Sequence, residues 1–205
     1  MNGRRTLDVS ALPSHAFGLG SVLVWGALLA IAIEGTMMAL ALVTFIYYRG
    51  NYQVWPPSGV GAAAFDLALA QMLVLLLSLP PTIMMNGAAV RERFAATRGW
   101  LLVATSLAAV VTLLRALELP RVGFRWDQHA YGSAFWLVLG IHVTHIVSGL
   151  VEFLMLVALM TAGRRRFESK HFTDVQASGI LWYFVVLEWL IGYPTLYLMP
   201  LLVRR

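Results

Sequence analysis

The chain contains no cysteine. That excludes a disulfide framework and any thiolate metal site. Charge is also scarce: Asp, Glu, Lys and Arg make up 12% of 205 residues, while hydrophobic residues make up 60%. A soluble domain has nowhere to bury that much apolar surface. There is no Gly-rich phosphate loop, no nucleophile–base pair, no carboxylate cluster and no internal repeat. No cleavable leader is expected, because Asp8, Pro13 and His15 precede the first apolar run. The net charge of +5 does not point to nucleic acid. The basic residues lie almost wholly between the hydrophobic runs, where they control membrane topology.

What is present is five long apolar runs. They predict an all-α membrane bundle of five transmembrane helices in one domain, at residues 21–48, 61–84, 99–117, 131–161 and 175–203. A span needs about 20 apolar residues at about 1.5 Å each. The first, fourth and fifth runs exceed that, so tilt or protrusion is expected. The connections are too short to fold separately. Trp55-Pro56-Pro57 precedes the second helix, where proline suits a first turn and tryptophan suits headgroup depth. Pro80-Pro81 is expected to kink or end that helix. Pro194 falls inside the fifth, which membrane helices tolerate.

Basic residues set the orientation. Nine lie on the side of the N-terminal tail, including Arg91, Arg93, the Arg164–Arg166 run and Lys170. Five lie on the other side: Arg49, Arg121, Arg125, Arg204 and Arg205. Arg115 is left out because it lies within the third helix. The imbalance places the N-terminus in the cytoplasm and the C-terminus outside.

The stretch from Tyr131 to Thr161 carries the most information. At ~100° per residue, Tyr131, Val138, His142, His145, Gly149 and Glu152 share an arc of roughly 80°. Ionisable groups at bilayer depth are costly and normally face protein, so this stripe is the packing face. His142 and His145 raise the question of metal or haem ligation, since imidazole ligates both. At this spacing both rings leave one helix in about the same direction, and no other helix offers a histidine at that depth. Hydrogen-bonded packing is therefore the favoured reading. Glu34 lies mid-helix in the first run. It is open to three readings: a proton relay, a lipid or partner contact, or a protonated hydrogen bond between helices. Glu152 and Glu188 pose the same question. Asp66, near the start of the second run, suits the helix dipole. Trp182, Trp189 and Tyr193 form an aromatic stripe on the fifth run.

These motifs, taken in order, resemble subunit III of the haem–copper respiratory oxidases, from about Leu28 to the C-terminus. Glu34, Tyr47 and Trp55-Pro56-Pro57-Ser58-Gly59 look like the family's glutamate helix and Trp-Pro-Pro loop. Arg115-Ala-Leu-Glu118 stands where the family has Gln-x-x-Glu. Tyr131-Gly132-Ser133, Phe135 and Gly140-Ile-His142-Val-Thr-His145 with Gly149 look like its Tyr-Gly-Ser and Gly-Phe-His-Gly-x-His-Val segments. Trp182, Phe184 and Trp189 match its tryptophan-rich helix. The family's His and Asp after the first Trp are replaced by Tyr183 and Val186, with Glu188 nearby on another face, and Val143 replaces a glycine.

The resemblance implies a non-catalytic subunit of a cytochrome c or quinol oxidase in the bacterial inner membrane, in the shorter five-helix form. It implies packing on the catalytic subunit I, phospholipid near Glu34, and support of proton uptake and stability. It implies no cofactor in this chain, with haem and copper held by partner subunits. Glu34, Trp55, His142, His145, Glu152, Trp182 and Trp189 are then lipid or subunit contacts rather than catalytic groups. The divergences also fit a subunit-III-like accessory protein of a nitric oxide reductase.

Overall fold

The structure, a computed structural model, describes residues 20–58, 60, 65–162 and 167–202. Among these, five helices are long and apolar enough to cross a membrane. They are α1 (Val22–Asn51), α2 (Phe65–Val90), α3 (Phe94–Glu118), α4 (Ala130–Thr161) and α5 (Lys170–Tyr193). A π-helical turn, Pro194–Leu198, extends α5 into a short α6 (Met199–Leu202). The expected start of the second helix at Gly61 lies outside the described residues. So do Arg4, Arg5, Asp8, Pro13, His15, Gly59, the Arg164–Arg166 run, Arg204 and Arg205.

Local chemistry starts the helices. Ser21 caps α1 by accepting a hydrogen bond from the Leu23 amide at 3.2 Å. His129 caps α4 through Nδ1, which accepts from the Gly132 amide at 2.8 Å. Asp66 falls in the first turn of α2, at the positive end of its dipole.

Besides the start of α3, which lies at Phe94 rather than Gly99, three boundaries depart from the sequence reading. First, α2 does not end at Pro80-Pro81 but runs on to Val90. Proline costs a helix one backbone bond, and neighbouring helices make that tolerable in a bilayer. Second, α5 begins at Lys170 rather than Val175, because its first residues are too polar to register as an apolar run. Third, Pro194 is not absorbed into regular α-helix. It has no N–H to donate, and the chain widens there into the π turn.

The five helices close into a ring in the order α1, α4, α3, α2, α5, and contact between α4 and α5 bridges the ring. The most apolar stretch of α5 is 56% buried and that of α1 only 22%. α5 is thus the central strut, and α1 leans chiefly on α4 and α5. Its outward face carries Leu29, Ile33, Leu40 and Val43, all exposed. A helix apolar on every side suits lipid on one face and protein on the other. Lipid tails are as apolar as leucine, so apolar burial alone does not hold such helices together. Close approach and polar ties must do so. At Gly149 on α4, an added Cβ would sit 2.8 Å from Trp182 Cε3 on α5. At Gly179 on α5, it would fall onto the amide of Asn86 on α2.

Candidate functional site

Two clusters of ionisable residues are tied into the bridge between α4 and α5. Their positions follow from the ring: one draws on α3, the other on α1.

The first is built around Arg115 on α3, which is 2% exposed. Its Nη1 donates to Glu118 Oε2 at 2.6 Å, one turn along the same helix. Glu118 also accepts the hydroxyl of Tyr197 from the π turn. Arg115 Nη2 lies 3.1 Å from His142 Nδ1 on α4. A guanidinium only donates, so Nδ1 accepts and the His142 proton sits on Nε2. That nitrogen donates to the Val185 carbonyl of α5 at 3.1 Å. Trp189 completes the cluster. The His142 ring stacks on it at 4.4 Å between centroids. The Arg115 guanidinium lies 4.1 Å from its ring centre, a cation–π contact. Four segments thus share one buried charge pair.

The second cluster joins α1, α4 and α5. His145 Nδ1 lies 2.7 Å from Glu188 Oε2 on α5, and Nε2 lies 3.3 Å from Glu34 Oε2 on α1. The Glu188 side chain is 2% exposed and the Glu34 side chain 41%. Glu34 and His145 open onto a groove of about 530 Å³ between α1 and α4, lined also by Trp136, Gly140, Thr144 and Ser148.

Polar ties to α2 complete the bundle. Trp182 Nε1 donates to Ser78 Oγ at 2.8 Å, and Asn86 Nδ2 donates to the Tyr183 hydroxyl at 3.3 Å. Glu152 and Asp174 face a separate pocket of about 320 Å³ among α1, α4 and α5.

The sequence-predicted residues distribute as follows. His142, Trp182 and Trp189 are wholly buried inside this chain. Trp55 is 4% exposed and packs edge-on to Phe45 and Tyr131, at 5.4 and 5.0 Å between centroids. That packing ties the end of α1 to the start of α4, so the Trp55 ring is turned inward. His145, Glu152 and Glu34 are partly buried, and the Glu34 side chain is more exposed than that of His145. Neither His142 nor His145 keeps a ring nitrogen free, because all four nitrogens already face a hydrogen-bond partner. Among the described residues, no group of three or more His, Cys, Asp or Glu is arranged to hold a metal ion.

Two pairings lie beyond the sequence reading, which names the residues but not their partners: Arg115 with His142, and Glu188 with His145. The signal for the first was available. An arginine inside a span, one turn from Glu118, needs a buried partner.

Fold and site together define a multi-pass helical membrane protein whose intramembrane charges tie its own helices to one another. The chain belongs to the cytochrome c oxidase subunit III family, whose model matches residues 9–200. Curated relatives agree. Cytochrome c oxidase subunit 3 of Artemia franciscana is 29% identical over 188 residues, covering 89% of this chain and 71% of that protein. The Drosophila yakuba protein of the same name is 25% identical over 189 residues, with the same coverage. The Mus musculus protein is 27% identical over 144 residues, or 70% of this chain and 54% of that one.

Proposed function

We propose that this chain is the non-catalytic third subunit of a haem–copper terminal oxidase. On this reading it packs on the catalytic subunit I and supports proton uptake and stability during aerobic electron transport. Haem and copper belong to the partner subunits. Phospholipid sits near Glu34, and the chain lies in a bacterial inner membrane with its N-terminus cytoplasmic.

The observation that carries this reading is family membership across nearly the whole chain. Two structural features support it. Arg115, Glu118 and His142, and likewise His145, Glu34 and Glu188, bond to one another across helices, which suits a bundle built for packing. The Glu34 carboxylate opens onto a groove. A carboxylate at bilayer depth calls for a protein or lipid partner.

The test is affinity purification of the tagged chain from its native membrane in mild detergent. The expected result is co-purification of a haem-bearing catalytic subunit with oxygen-reducing activity. Recovery with a nitric oxide-reducing subunit would move the chain to an accessory role in that enzyme. A haem Soret band from the isolated chain would contradict the proposal.

A further inference from the structure

Glu34, His145 and Glu188 come from three helices and meet deep in the bundle. At about 1.5 Å per residue, His145 lies roughly 23 Å from either end of α4. Net charge at that depth is costly, so the protonation of the three groups is governed by electroneutrality.

The charged and titratable groups around the cluster are already matched. On α3, Arg115 is paired with Glu118. On α4, His142 is fixed as the neutral Nε2 tautomer by Arg115 and the Val185 carbonyl, and Glu152 opens on a different pocket. On α5, the Tyr183 hydroxyl is held by Asn86 of α2. On α1, Glu34 is itself the member that faces the cluster. Among the described residues, no outside charge is therefore available to balance the cluster.

Two carboxylates beside a neutral imidazole carry two negative charges. Two bound protons cancel them. Each nitrogen of His145 faces a carboxylate oxygen, so a ring bearing protons on both nitrogens is satisfied at both. The second bound proton then rests on a carboxyl. We infer that Glu34, His145 and Glu188 form a proton-binding site that holds two protons as one electroneutral unit of imidazolium, carboxylate and carboxylic acid. The count follows from three side chains of this chain, and the chain by itself in bilayers reads it, so it stands apart from the assignment to an oxidase.

Infrared spectroscopy of the full chain in lipid bilayers at neutral pH reads the count directly. Isotopically labelled glutamate separates its protonated-carboxyl signal from aspartate and lipid esters, and Glu152→Gln identifies the contribution of Glu152. The wild type is expected to show one protonated glutamate from the cluster. Glu34→Gln and Glu188→Gln each abolish that signal, because the imidazolium and the remaining carboxylate then balance alone. His145→Gln doubles it, because both carboxyls must then hold a proton. The two glutamine variants decide the matter even where the His145 variant fails to fold. A cluster signal of zero or two in the wild type overturns the inference, as does a signal that survives in both Glu34→Gln and Glu188→Gln.

Discussion

Arg115 is buried against three partners: Glu118, His142 and the face of Trp189. Removing one member of a buried ion pair leaves the other uncompensated, at a cost of about 3–5 kcal/mol. Arg115→Leu is therefore expected to destabilise the bundle by that amount in a detergent unfolding titration. Arg115→Lys recovers little, because an ammonium cannot fork toward Glu118 and His142 while lying against an aromatic face. An unchanged midpoint for Arg115→Leu contradicts the assigned role. Glu34→Gln is expected to leave assembly intact and mildly alter stability during turnover, measured as activity decay of the purified complex. Loss of assembly would show that Glu34 is a structural tie. The residue types at these sites were legible in the sequence, but their pairings were not. Periodicity put His142 and His145 on one face of α4. It could not say that three residues suffice to turn one ring toward α3 and the other toward α1. That depends on how each helix is rotated against its neighbours, and a single helix does not encode it.

Between helices, the decisive residues are small ones. Gly149→Leu drives a side chain into the Trp182 ring, where even a Cβ would lie at 2.8 Å. It is expected to separate α4 from α5. Loss of tryptophan fluorescence anisotropy together with loss of recovery from the membrane checks this; an undiminished bundle would contradict it. Gly179→Ala sets a methyl against the Asn86 amide and is expected to break the hydrogen bond to Tyr183, with a smaller loss of about 1 kcal/mol. Hydropathy located the five spans but not their ends. It reads where lipid lies, whereas a helix continues wherever its backbone bonds continue. That is why Lys170–Asp174 and the residues from Met85 to Val90 fall outside the expected spans yet are helical. The π turn at Pro194 left only the proline as a sign. Its consequence was a shift of bonding pattern that places Tyr197 on Glu118.

For the molecule as a whole, the ring of helices leaves α1 and α4 the least enclosed spans, with a carboxylate in the groove between them. Family membership accords with a multi-pass bundle, and its polar residues cluster where helices meet. The fold class was legible in the five apolar runs, and the family in the order of short motifs along the chain. The sequence could not supply the two buried clusters as assemblies, since each draws on helices far apart in the chain. The central claim is that these ionisable groups tie helices together and carry no redox centre. The most direct test is the visible spectrum of the chain, recorded first in its co-purified complex and again after separation from every companion. The account predicts haem absorbance in the complex and none in the separated, still helical chain. A Soret band that stays with the separated chain, and is lost on replacing His142 or His145, would contradict it.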